Sequence, residues 1–323
     1  MTEHAVVSQG LVRRFGGFNA VDGIDLVVPN GEIYGFLGPN GAGKSTMVRM
    51  LTTLLLPTAG TATVAGHDVA HGPQEVRLRI GVAFQEASLD SRQTGRELLR
   101  LQGRLYGLSR REINRRMDDL EPLVDIGDAL DRLVGTYSGG MKRRLDLAAA
   151  LVHNPEVLFL DEPTAGLDPI SRAKLWGEVR RINKELKVTI FLLTQYMEEA
   201  DSLAHRIGII NHGKLVAEGT PTELKRSVGS DVIIAQIDGD SATAVDAVGR
   251  IPSVGAVEVR GGELTIAVEK GAAFVSRVAL ALNDSSIEVR ELTLRSPTLD
   301  DVFLHFTGER LEEAETAPEA GEA

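Results

Sequence analysis

Nothing constrains the fold of this chain more than the stretch Gly38-Pro-Asn-Gly-Ala-Gly-Lys-Ser-Thr46. Gly38 and Gly43 enclose four residues and are followed by Lys44 and a hydroxyl residue, Ser45, which is the phosphate-loop spacing. The apolar run 32–37 ahead of it predicts a short buried strand, and 44–55 behind it a helix stopped by Pro57. Strand, glycine loop and helix together make a phosphate cradle. Glycines let backbone N–H groups converge on an anion without Cβ obstruction, and the helix start adds its positive dipole end. Lys44 then reaches the β- and γ-phosphates, and Ser45 holds Mg²⁺ through its hydroxyl. The competing reading is a plain glycine-rich turn between a core strand and a core helix; the complete motif in its expected context favours a nucleoside triphosphate.

Composition narrows the rest. With 323 residues the chain is long enough for two domains, and 43% hydrophobic with 25% charged residues is ordinary for a globular protein. The absence of Cys excludes a disulfide framework and a thiolate metal site. The longest apolar runs, such as 145–152 interrupted by Asp146, fall far short of the ~18 residues a membrane span needs. The start, Met1-Thr-Glu-His, lacks the basic and apolar segments of a secretion signal, so a cytoplasmic location is expected. A net charge of −11 argues against a nucleic-acid partner held through phosphate contacts.

The chain alternates from residue 5 to 28, as antiparallel strands flanking the nucleotide core, with Asn30-Gly31 turning into the phosphate-loop strand. Phe15, beside Gly16, either offers a ring face to a purine or is a strand-end core aromatic. A second buried strand, 79–84, ends at Gln85, where ligand groups gather in α/β sheets. The segment 94–135 reads as a helical insertion rich in Arg; Arg110, Arg111, Arg115 and Arg116 cluster there as a solvated face or a docking surface. Ser138 is a good N-cap for an apolar helix over 141–152, and Gly139 and Gly140 expose backbone donors at its positive end. Lys142, Arg143 and Arg144 place positive charge against that dipole, which hints at a bound anion or an acidic partner. The apolar strand beginning at Val157 ends in Asp161 and Glu162. At the end of a strand beside a phosphate loop, Asp161 can hold Mg²⁺ and Glu162 can polarise an attacking water, unless the two only cap the chain ahead of Pro163. From Asp231 the pattern restarts as β-α-β-β-α-β, the ferredoxin-like order, with Gly229-Ser230 as the joint; an acidic tail, 309–323, is expected to be disordered.

Taken together, these residues closely resemble the nucleotide-binding subunit of an ABC transporter over roughly 5–227. The implied fold class is α/β, a P-loop NTPase cassette with a RecA-like core, an antiparallel β subdomain and a helical subdomain at 94–135, occupying 1–228. A small α+β ferredoxin-like module follows at 231–306. By resemblance Phe15 stacks on adenine, and Gly38, Pro39, Asn40, Gly41, Ala42, Gly43, Lys44, Ser45 and Thr46 form the Walker A loop. Gln85 meets Mg²⁺ together with Ser45 and Asp161, and Glu162 is the catalytic carboxylate. Ser138, Gly139 and Gly140 keep the core of the signature, whose outer positions are altered to Tyr137 and Met141, and Asp168 closes the D-loop. In this family two subunits meet head to tail, each signature closing on the ATP held by the other, so the expected partners are a second copy and a separate membrane permease. The implied location is the cytoplasmic side of the cell membrane. The C-terminal segment with Ser296-Pro-Thr-Leu-Asp-Asp-Val-Phe303 is similar to that of daunorubicin/doxorubicin-resistance-type exporter ATPases. Gln195 stands where most relatives carry the switch histidine.

The leading expectation is therefore an ATPase, with ATP and Mg²⁺, that powers efflux of a drug-like or lipid-like compound. A non-transport ABC ATPase acting on ribosomes or DNA is the different class. Such proteins usually fuse two cassettes or carry long coiled coils, and this chain has one cassette and no such heptads. An importer ATPase would differ in its C-terminal module.

Overall fold

The strand–loop–helix unit lies inside a parallel sheet in the computed structural model, which describes residues 4–84, 89–125 and 127–308. The chain opens with two long strands, β1 (His4–Phe15) and β2 (Phe18–Pro29), then β3 (Ile33–Leu37), the glycine loop and α1 (Lys44–Leu51). The helix stops short of the expected residue 55 because Thr53 takes a left-handed backbone, φ 64°, which no helix continues through. Next come β4 (Ala59–Val64), β5 (His67–Asp68), α2 (Pro73–Arg77) and β6 (Ile80–Ala83). The helical insertion holds α3 (Gly95–Leu105) and α4 (Arg110–Val124), each started by a reciprocal capping box from Thr94 or Ser109. α5 (Gly139–Leu151) begins two residues before the expected Met141, because the Ser138 hydroxyl accepts from the Met141 N–H. β7 (Val157–Asp161), α6 (Pro169–Leu186), β8 (Thr189–Thr194), α7 (Met197–Leu203), β9 (Arg206–Asn211), β10 (Lys214–Gly219) and α8 (Pro221–Val228) complete this part.

Among the described residues β10-β9-β3-β8-β7-β6 form one sheet, parallel apart from the edge strand β10. β3 and β8 are buried at every position, as parallel strands covered on both faces must be. One face packs against the antiparallel sheet β2-β1-β4-β5 and α1 through Tyr34, Phe36, Phe159 and Phe191. Phe191 pairs in register with Tyr34 on one side and Phe159 on the other, with ring centroids 5.5 Å away in both cases. The opposite face, with Leu158, Leu160, Ile190 and Leu192, packs into the core shared with the helical insertion. The two faces follow from the period-2 alternation of strand side chains.

The Arg cluster of α4 divides. Arg110, Arg111 and Arg115 are exposed, whereas Arg116 is half-buried and donates to the carbonyls of Leu151 and Val152 at 3.1 and 3.3 Å. Arg116 is therefore neither a solvated residue nor free for docking: it satisfies the carbonyls left unpaired at the end of α5.

The described residues divide into two compact units, those up to Pro221 with 306–308, and Thr222–His305. The division falls at the start of α8 rather than at Gly229-Ser230, and Gly229 lies beside the Pro297 ring of the second unit. That unit holds β11 (Asp231–Asp238), α9 (Ser241–Gly249), β12 (Val254–Arg260), β13 (Glu263–Val268), α10 (Val275–Asp284) and β14 (Glu288–Arg295), followed by α11 (Leu299–Thr307). Its antiparallel sheet runs β12-β13-β11-β14 and buries Ile233, Ile266, Val278 and Leu282 in a core of its own. This is the ferredoxin-like strand order. The tail 309–323 lies outside the described residues.

Candidate functional site

The phosphate loop leaves the C-terminal end of β3, the carboxylate pair ends β7 and Gln195 follows β8, so three neighbouring strands aim their ends at one place. Glycine is required at both ends of the loop. A Cβ on Gly38 would lie 2.4 Å from the Ile210 carbonyl oxygen; on Gly43, where φ is 107°, it would lie 2.2 Å from that of Ala20. Lys44 opens α1 at 5% exposure, and its ammonium donates to the Gly38 and Pro39 carbonyls at 2.5 and 2.9 Å. The lysine thus folds over its own loop, within reach of whatever the loop holds.

A cleft of about 330 Å³ opens here. Pro39, Asn40, Gly41, Gly43, Lys44, Ser45 and Thr46 line one side, Asp161 and Glu162 another, and Phe15 a third. Gly38 and Ala42 are buried within the loop behind that surface. Phe15 is 46% exposed, with the Arg13 guanidinium 4.6 Å from its ring centroid, so it is not a core aromatic. Phe18 and Ala20 also line the cleft. Sequence reasoning missed Phe18, although Gly16-Gly17 between two phenylalanines signals a hairpin that pairs them, as β1 and β2 do.

The two carboxylates differ. Burial pushes the Asp161 carboxyl above the usual carboxylate range, against the pull of the Lys44, Arg143 and Arg49 charges. Glu162 is 7% exposed and has a left-handed backbone, φ 45°; its N–H donates to the Leu193 carbonyl at 2.9 Å and its own carbonyl accepts from the Ala165 N–H at 3.1 Å. Such a conformation is uncommon for a side-chain-bearing residue and persists only where surrounding bonds hold it. Gln195 is half-buried, and its side-chain oxygen has no hydrogen-bond partner among the described residues. An orphaned buried acceptor beside such a site suits a ligand or water that supplies the missing donor.

Gln195 follows the neighbouring strand end without lining this cleft, and Ser138, Gly139, Gly140 and Asp168 do not line it either. Ser138 and Gly139 are exposed at the positive end of α5, with Gly140 behind them. Asp168 caps α6, accepting from the Ile170 and Ser171 N–H groups at 3.0 and 3.1 Å, and the Ser171 hydroxyl bond foremost among its contacts holds its carboxyl below the usual range. Gln85 lies outside the described residues. Two of the three positive residues after Ser138, Arg143 and Arg144, find acceptors within the chain. Arg143 bonds backbone carbonyls and Asp146, while Arg144 donates to the Asp125 carbonyl at 2.8 Å and lies 3.7 Å from Glu178. For these two the bound anion expected from sequence is replaced by carbonyl groups and carboxylates that folding brings from other segments.

Among the described residues no three His, Cys, Asp or Glu side chains stand together as a metal cluster. The donors at the cleft are the Ser45 hydroxyl and the Asp161 carboxylate, hard oxygen ligands of the kind that suit Mg²⁺ shared with phosphate groups.

The family model described as ABC transporter matches residues 21–165, and that described as ATP-binding protein DrrA1-3-like, C-terminal domain, matches residues 219–307. Daunorubicin resistance ATP-binding protein DrrA3 of Streptomyces coeruleorubidus is 46% identical over 317 residues, covering 97% of this chain and 100% of the relative. Daunorubicin/doxorubicin resistance ATP-binding protein DrrA of Streptomyces peucetius is 46% identical, covering 98% and 97%. Among solved structures, that of cbiO1 from Clostridium perfringens, part of the ABC transporter complex cbiONQ, aligns with a TM-score of 0.65 at 28% identity over 69% of this chain and 91% of that one.

Proposed function

Because this chain belongs to the ATP-binding subunits of ABC transporters, we propose that two copies of it close head to tail on ATP and drive efflux of a drug-like or lipid-like compound through a separate membrane permease. The chain is an ABC exporter ATPase. Of the described residues, no helix is long and apolar enough to cross a membrane, which fits an ATPase held at the cytoplasmic face by its permease.

The observation that carries this reading is the joint lining of one cleft by an exposed aromatic pair, the glycine loop with Lys44, and the Asp161–Glu162 carboxylates. Phe15 and Phe18 offer ring faces to adenine, the loop N–H groups and Lys44 hold the phosphates, and Glu162 takes a proton from the attacking water. Mg²⁺, when bound with the nucleotide, would be held by Ser45 and Asp161 and would neutralise phosphate charge. Gln195 has an amide that donates to the γ-phosphate side and an oxygen free to accept from the water. Ser138, Gly139 and Gly140 stay outside their own chain's cleft at an exposed, positive helix end, as donors offered to the nucleotide of a partner would. A groove of about 620 Å³ lined by Leu54, Phe84, Leu98, Leu101 and Tyr106 is the surface proposed to receive the permease.

The test is gel filtration of the Glu162→Gln chain with and without ATP, alongside ATPase activity in membranes containing the permease. An ATP-dependent dimer and lost turnover are expected. A Glu162→Gln chain with parental turnover would overturn the assignment.

A further inference from the structure

Arg143 is the least expected residue of α5. It stands near the positive end of the helix, where its charge is unfavourable, yet it is only 8% exposed. Its guanidinium leaves the helix and reaches three carbonyls on two other segments. Nε donates to the Pro163 carbonyl at 3.0 Å, Nη2 to the Asp161 carbonyl at 2.9 Å, and Nη1 to the Phe84 carbonyl at the end of the β6 segment. Asp146, one turn along α5, accepts from Nη1 at 3.2 Å and balances the charge. The two carbonyls from the β7 segment belong to the residues on either side of Glu162, the residue whose backbone is left-handed at φ 45°.

We infer that Arg143 is a positioning residue for ATP hydrolysis: it clamps the carbonyls of the residues on either side of Glu162 and thereby holds that carboxylate in the orientation from which it meets the attacking water. This rests on the reading of Glu162 as the base. A guanidinium suits the task because its planar fork donates in several fixed directions at once. An ammonium in the same place carries the charge but lacks the fork. With so little exposure, water cannot replace the lost donors. The same clamp makes Arg143 the link between the helix that begins at Ser138 and the strand end that carries Glu162.

The experiment compares full-length parent, Arg143→Lys, Arg143→Met and Glu162→Gln. It measures ATPase with the permease in membranes, ATP affinity by calorimetric titration, ATP-dependent dimer by gel filtration, and deuterium uptake of the amides of Glu162, Thr164 and Ala165. Arg143→Lys is expected to lower kcat about tenfold with ATP affinity within about twofold of the parent. It should also accumulate ATP-bound dimer as Glu162→Gln does, and speed exchange at those amides. A merely structural role would instead weaken ATP binding and dimer formation in step with kcat. If Arg143→Met does not fold, the Lys variant carries the test. Parental kcat in Arg143→Lys, or parallel loss of ATP affinity and kcat, overturns the inference while an inactive Glu162→Gln leaves the base assignment standing. An active Glu162→Gln overturns both.

Discussion

Glu178 lies on α6 with 4% exposure; among the described residues neither carboxylate oxygen has a hydrogen-bond partner, and Arg144 Nε stands 3.7 Å away. Burial raises its pKa from 4.5 to about 7, with the Arg144 charge opposing. The folded state therefore holds the proton more tightly than the unfolded chain. The stabilisation is complete below pH 4.5 and is lost as pH rises toward and through about 7. Between pH 5 and pH 8 this one group removes about 2.5 kcal/mol, from the two pKa values and ~1.4 kcal/mol per unit. Replacing Glu178 by Gln keeps the shape and the neutral form at every pH. The advantage of Glu178→Gln over the parent should grow by about 2.5 kcal/mol from pH 5 to pH 8, with other titrating groups cancelling in the comparison. The assay is urea unfolding followed by fluorescence of Trp176, the chain's single tryptophan, which sits on the same helix and donates to Glu199 at 3.1 Å. A gap between the two proteins that is the same at both pH values, or that shrinks at pH 8, would refute the assignment.

Gly43→Ala should weaken both folding and ATP binding, because its Cβ would sit 2.2 Å from the Ala20 carbonyl oxygen; a thermal melt unchanged from the parent would count against this. Lys44→Ala should cut ATP affinity, whereas Ser138→Arg should spare it and block ATP-dependent dimerisation, and equal losses on titration would contradict the division between the chain's own site and its partner's. Gln195→Ala should cost about ten- to a hundredfold in turnover, the loss of a hydrogen bond to a charged group, and Gln195→His should retain activity in the same steady-state assay. Phe191→Ala should destabilise the first unit by about 3–5 kcal/mol, since the ring packs between Tyr34 and Phe159; urea unfolding reads it.

The features legible in the sequence share one property: residues a few positions apart decide them. The phosphate loop turns through left-handed backbone at Gly41 and Gly43, with Lys44 and Ser45 placed by the helix that must follow. The strand ending in Asp161 and Glu162 and the β-α-β-β-α-β restart after Asp231 are patterns of alternation and turn that no distant contact has to complete. What only the tertiary structure decided are the partners brought from far along the chain. Arg143 meets carbonyls at positions 84, 161 and 163, Arg116 caps a helix end at 151 and 152, and Arg144 reaches Asp125 and Glu178. From sequence Arg116 reads as surface or docking charge and Arg143 and Arg144 as a hint of a bound anion or acidic partner, because a guanidinium is almost always exposed unless folding brings it acceptors. The carboxylate of Glu178 is of the same kind: its place on the helix follows from local pattern, but the burial that shifts its proton comes from the segments packed over it.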